Sequence, residues 1–341
     1  MEDVIGGHVP RDRFDRFLAD WERILDRRVE QAARVIGGID GVRGLILAGS
    51  IGRGRHWPLS DIDMIPILDF DRVDAAHAEI ERNRLALVEQ WLTEGWWTSV
   101  DIGRLYFTRE ELVAVLPVPA DAVPSLLDDD RWYHSFDKGY GGRPVLDPDG
   151  HVAELVRTFN TYRFEHQIAE LRQRRAAQAA TSARRELSQA ITRGDAPGAA
   201  VAVGEAVKWF RTWQLEAWLE SDASLGRVGT RFERLARARG RHDLVDELRT
   251  MSDLDDGSVR TRMDQAPEWV HERHDRSWSA RQAVGEELTE LDDARDVLRV
   301  CTQYQLRNPG DPPYPAWLAV PGDADSLRDR ASMLDGVMSF S

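Results

Sequence analysis

Asp61 and Asp63 in "SDIDMI" and Asp101 in "TSVDIG" are the residues whose type and spacing point most directly to chemistry. Successive side chains of a strand face opposite ways, so Asp61 and Asp63 share one side and Ile62 takes the other. Two carboxylates so close repel, and a positive charge is expected between them. If the segment carrying Asp101 pairs beside them, three carboxylates meet at one sheet edge. Such hard oxygen donors suit Mg²⁺. Two ions about 3.5–4 Å apart stabilise both the attacking and the leaving oxygen of an in-line phosphoryl displacement. Asp61, Asp63 and Asp101 are therefore the candidate metal ligands. Gly49 and Ser50 are the candidate phosphate contacts, because glycine lets a phosphate approach the backbone and the serine hydroxyl can hold its oxygens. Arg53 follows, with a planar fork that matches a terminal phosphate. The same residues also admit a plainer arrangement, with Ser60-Asp61 in a turn and Asp-Ile-Asp on a solvated edge strand.

The elements that must position these residues can be read from the pattern. "GLILAG" (44–49) and "DIDMIPIL" (61–68) predict short buried strands, and "WTSVDIGRLYF" (97–107) alternates as a third. Phe14, Phe17, Leu18, Trp21, Ile24 and Leu25 recur at helical spacing within 12–36, and a second helix is predicted over 72–94. Thr108 and Glu111 have the spacing of a capping box. The Gly-, Pro- and Asp-rich stretch "DKGYGGRPVLDPDG" (137–150) reads as a domain boundary. Helices are expected beyond it near 151–190, 197–221, 230–251 and 277–304, with a proline-rich tail from 306. The expected architecture is α/β (α+β), with a short mixed sheet in residues 1–145, an all-α helical bundle in 146–305 and the tail in 306–341.

At 341 residues the chain suits two domains. Its 59 acidic and 45 basic residues give a net charge of −14, which argues against a long nucleic-acid substrate and favours a cationic small molecule. No stretch approaches the ~20 apolar residues of a membrane span. The N-terminus "MEDVIGGHVPRDRFDRF" lacks the regions of a signal peptide, so a cytoplasmic location is expected. Cys301 is the single cysteine, which excludes an internal disulfide and a cysteine-built zinc site.

Gly-Ser, a ten-residue gap, Asp-x-Asp and a distant strand Asp resemble the nucleotidyltransferase superfamily that includes DNA polymerase β. "GSIGRGRHWPLSDIDMI" and "WWTSVDIGRLYFTREEL" are most similar to its kanamycin nucleotidyltransferase branch, and "VLDPDGHVAELV" is similar to that branch's entry into a helical domain. The likeness covers roughly the first two-thirds of the chain, strongest between 45 and 112. It implies a nucleotidyltransferase fold and transfer of a nucleoside monophosphate, expected to be AMP from ATP, to a hydroxyl of a small molecule such as an aminoglycoside. It also implies two Mg²⁺ ions, release of pyrophosphate and a homodimer sharing a cleft. In that branch a helical-domain glutamate is the general base, and a lysine one turn later touches the nucleotide phosphates. "EAVKW" resembles that segment, which makes Glu205 and Lys208 the candidates. Their spacing of three departs from the family's four, and Gly204 stands at the four-back position. An exposed Glu–Lys ion pair is the plainer account of the two, and Glu165 is a rival base.

Alternative functions on the same triad are transfer to RNA or protein, as in toxin–antitoxin relatives, polymer or cyclic-dinucleotide synthesis, and a non-catalytic nucleotide-binding module. The arginines at 227, 231, 234, 237, 239 and 241 read as a solvated helix face or as a contact for an anionic partner. His271 and His274 are expected on the surface, and Trp209, Trp213 and Trp218 in the core.

Overall fold

The computed structural model describes residues 10–338, apart from position 97 and the stretches 103–104, 222–225, 309, 311–312 and 321–323. The readings of the first nine residues, and those parts of the third strand and the tail that fall on these positions, lie outside the described residues. The fold is mostly helical, with one small mixed sheet. The chain divides into two units, Met1–Ile168 with Ala280–Gly285, and Ala169–Ser279 with Glu286–Ser341.

In the first unit, α1 (Arg11–Leu18) and α2 (Trp21–Gly37) replace the single helix expected over 12–36. The break falls at Asp20, which leaves helical geometry at φ −144° and accepts from Arg23 Nε at 2.7 Å. Strand β1 (Val42–Leu47) leads into a single turn, α3 (Gly49–Gly52), and then β2 (Ile62–Leu68), every residue of which is buried. Helix α4 (Val73–Glu94) returns the chain to β3 (Val100–Ile102) and β4 (Phe107–Thr108). The third strand is thus two short ones. The sheet runs β3-β2-β1, with β5 (Arg143–Leu146) on the far side of β1 and β4 also pairing β2. β1 is antiparallel to β2 and β5, whereas β3 and β4 run parallel to β2.

The apolar stripe of α2 (Leu25, Val29, Ala32, Ile36) and that of α4 (Ala76, Ile80, Leu87, Trp91) join Leu45, Leu47, Ile62 and Met64 in one core. Burying those side chains is the main force holding the sheet, at roughly 25 cal/mol per Å² of apolar surface removed from water. Three short helices follow β4: α5 (Arg109–Val115), α6 (Val123–Leu126) and α7 (Asp130–Gly139). Thr108 and Glu111 form the expected capping box on α5. α8 (His151–Tyr162) places Phe159 against Phe107, Trp132 and Phe136, with ring centroids 6.4, 6.3 and 5.2 Å away. The stretch expected to be a boundary therefore carries sheet structure, because β5 completes the edge of β1, and the first unit continues past residue 145 through α8.

The second unit is helical among its described residues: most of α9 (His166–Arg193), then α10 (Ala196–Ala217), α11 (Val228–Ala238), α12 (His242–Met251), α13 (Asp256–Asp264), most of α14 (Glu268–Ala283), α15 (Glu290–Leu306) and α16 (Ala324–Val337). Gly240 (φ +74°) and Gly285 (φ +63°) turn the chain through the left-handed region and split two of the expected helices. Alanines on α9 and α10 allow close approach around Val203 and Phe210, and Leu327, Ala331 and Leu334 of α16 bury in the same cluster. The tail thus contributes to the core.

Candidate metal centre

Sheet pairing sets the geometry of the three acids. β2 and β3 align in parallel with Asp63 directly beside Asp101, so both side chains stand on one face of the sheet. Asp61 lies two residues upstream on the same alternation. One carboxylate oxygen from each of Asp61, Asp63 and Asp101 lies within 4.8 Å of the others, a grouping able to hold a metal ion. The register of β3 is fixed on entry. Ile62 N donates to Ser99 O at 2.8 Å. The buried Arg28 donates to Thr98 Oγ1 at 2.7 Å and to Trp91 O at 3.3 Å.

Gly49 follows β1, where Ala48 N still donates to Asp63 O at 2.9 Å. Its φ is +61°, and an added Cβ would lie 1.7 Å from Asp63 Oδ2. A side chain at 49 is therefore excluded twice, by backbone geometry and by the carboxylate itself. Ser50, also buried, donates its hydroxyl to Ser60 Oγ at 3.0 Å, and Ser60 Oγ accepts from Trp57 N at 3.0 Å. These bonds tie the turn after β1 to the segment entering β2. Arg53 donates to Asp137 O at 3.0 Å and Tyr140 O at 3.5 Å, carbonyls at the end of α7. Its guanidinium thus braces that helix end beside the site.

The positive charge expected among the acids is supplied by Lys138, a residue the sequence reading did not single out. Its ammonium lies 2.7 Å from Asp63 Oδ1 and 2.6 Å from Asp101 Oδ2. It donates a well-aligned hydrogen bond only to Asp101, and the buried Asp63 Oδ1 has no hydrogen-bond partner. Lys138 sits in the last turn of α7, where the helix dipole favours a cation. Asp137 anchors that turn by accepting from Arg163 Nη2 at 2.9 Å.

Burial is the dominant electrostatic cause at this site. It pushes the Asp61 carboxyl up despite the opposing pull of Lys138. It raises Asp63 to about 7, reinforced by the charge of Asp61. Burial works against the Lys138 ammonium too, but Asp63 and Asp101 outweigh it and raise its pKa. The site therefore holds more negative charge than one ammonium balances. Three clustered carboxylates and a buried oxygen without an aligned donor fit a divalent cation with oxygen preference.

Glu205 and Lys208 lie on α10 in the second unit. Lys208 donates to Glu205 at 3.3 Å, Arg307 donates to the other oxygen of Glu205 at 3.2 Å, and the lysine also sits 5.0 Å from the Trp209 ring centre. Glu165 is exposed between α8 and α9. His274 departs from expectation. It is buried, with Nε2 3.3 Å from Glu290 O and 3.6 Å from Asp293, because α14 packs that face inward. Each arginine of the 227–241 run has a carboxylate within 4 Å. Arg227 and Arg234 meet Glu286, Arg231 and Arg239 meet Glu220, Arg237 meets Glu233, and Arg241 meets Asp243.

In comparisons with known proteins, no family model and no curated protein matches this chain.

Proposed function

We propose that this chain is a Mg²⁺-dependent nucleotidyltransferase that moves a nucleoside monophosphate, AMP from ATP, to a hydroxyl of a small cationic molecule. The observation that carries the reading is the side-by-side pairing of Asp63 and Asp101, with Asp61 completing a three-carboxylate cluster. Asp61, Asp63 and Asp101 are the residues that would hold Mg²⁺, which when bound supplies charge neutralisation at phosphate oxygens and favours ionisation of an acceptor hydroxyl. The turn at Gly49 and Ser50, against Asp63, is the candidate seat for the triphosphate. Glu205 is the candidate acceptor of the hydroxyl proton and Lys208 the candidate phosphate contact, both on the precedent of the resemblance. We place the reaction in the cytoplasm. Among the described residues no helix is long and apolar enough to cross a membrane.

A small acceptor is favoured over RNA by the arginine run, whose charges are matched by neighbouring carboxylates within the second unit. The test is a transfer screen with α-labelled triphosphates and Mg²⁺ across aminoglycosides, lincosamides, RNA and protein. Label should appear on a small molecule and vanish with Asp61→Ala or Asp63→Ala. Transfer that survives either substitution would refute the metal roles, and label on RNA or protein alone would replace the acceptor class. Glu205→Gln should slow transfer by about 10²–10⁴-fold if that residue is the base.

A further inference from the structure

We propose that Lys138 is an exchangeable counter-cation, which offsets part of the charge of the carboxylate cluster in the metal-free protein and yields Asp63 and Asp101 when a divalent ion binds. The inference rests on the metal-binding reading above and concerns how that site is regulated.

The contact atoms carry the argument. The Lys138 ammonium is 2.7 Å from Asp63 Oδ1 and 2.6 Å from Asp101 Oδ2, oxygens of the two residues that the sheet register sets side by side. A Mg²⁺ ion binds carboxylate oxygens at about 2.0–2.1 Å. A metal ion and an ammonium cannot both contact those two oxygens without two positive charges nearly touching. For a metal ion bound through those same oxygens, either the lysine leaves or the metal is kept out.

The structure favours departure. The ammonium approaches Asp63 closely but without an aligned hydrogen bond, so the buried oxygen is only half satisfied by the lysine. The lysine side chain is 30 % exposed and reaches the site on a flexible four-carbon stem from the end of a helix, so an outward path is open. The backbone beneath it stays fixed without the ammonium, through Arg163 on Asp137 and Arg53 on the Asp137 and Tyr140 carbonyls. Removing the ammonium should then free the ligands rather than dismantle the site.

The proposal is tested with Lys138→Met, which keeps the apolar stem, using calorimetric titration with Mg²⁺ and Mn²⁺ and thermal unfolding in chelator. With its competitor gone, the metal should bind about tenfold or more tightly, on the scale by which a neighbouring charge perturbs a carboxylate. Melting in chelator should drop and recover on metal addition. Lys138→Arg retains the charge and should leave affinity near or below that of the unaltered protein. If Lys138→Met does not fold, Lys138→Gln gives the same comparison with a neutral donor left for Asp101. Unchanged or weaker metal binding in a folded neutral variant would overturn the exchange while leaving the metal site standing. Absence of binding in every protein would overturn both. Loss of nucleotidyl transfer alone would touch only the proposed reaction, because the titration needs no turnover.

Discussion

At Asp63, burial and the neighbouring Asp61 act in the same direction, and the carboxyl keeps its proton up to about pH 7 in the metal-free fold. The unfolded chain loses that proton near pH 4, so between those values the native state binds more protons. This residue's contribution to stability is therefore complete below about pH 4 and is lost as pH rises towards 7. Thermal midpoints in chelator should fall across that window, and Asp63→Asn should flatten the slope; a midpoint rising through the window would contradict the assignment. Gly49→Ala should cost about 2–4 kcal/mol in denaturant titration, since it combines a strained φ with a collision against Asp63 Oδ2. Cys301 is buried, and burial pushes its thiol up to about 11. It should resist a thiol reagent at pH 8 until the protein unfolds. The acids and Gly49 were legible because strand alternation and a strand-end glycine are local signals. Lys138 was not, since it stands 37 positions beyond Asp101 and only α7 brings it back.

Short elements explain most differences between the pattern in the chain and its structure. α6, α7 and β5 lie in sequence dense with Pro, Gly and Asp, where helical and strand periods have too few residues to register. The capping box on α5 was visible because it is a chemical rule at fixed spacing. Its glutamate also has a long-range role: Glu111 accepts from Arg131 Nη2 at 3.0 Å and Trp132 Nε1 at 3.2 Å, tying α5 to α7. Thr108→Ala should cost about 1 kcal/mol, the usual value of a cap. Glu111→Ala should cost about 2–3 kcal/mol, because it also leaves the Trp132 indole N–H without its acceptor and strips a partly buried arginine of one of its two carboxylates. Equal losses in chemical denaturation would show that the contacts to α7 contribute nothing. Neither the resemblance nor the periodicity indicated Arg28, whose bonds to Thr98 and Trp91 position the entry to β3. A buried arginine inside a helical stripe looks like an exposed one in sequence.

Across the whole molecule, the net charge of −14 conceals how the charges pair. In the second unit, Glu233 accepts from Arg249 Nε at 3.0 Å, and the buried Arg295 donates to Asp256 and Asp292, both at 2.6 Å. Together with the matched 227–241 arginines, this leaves little unbalanced positive charge for phosphate backbones. A labelled single-stranded RNA should show no submicromolar binding to the full chain near 150 mM salt. A tight, strongly salt-dependent complex would revive the RNA-directed alternative. The general plan, a small sheet first and helices after, was readable from composition and period. The extent of the first unit was not, because β5 and α8 belong to it through pairing and aromatic packing with distant residues.

β3 has only three residues, and the chemistry proposed here depends on the middle one facing the same way as Asp63. Strand geometry makes that orientation binary, so a single codon gained or lost around 98–99 would swap Asp101 for an isoleucine or valine neighbour. Such an indel would spare nearly all the hydrophobic interior yet abolish the proposed transfer as thoroughly as deleting the acid. Drift in the length of this connection should therefore be rejected in steps of one residue, which turn the acid to the opposite face, and equally in steps of two, which carry it roughly 6–7 Å along the strand from Asp63.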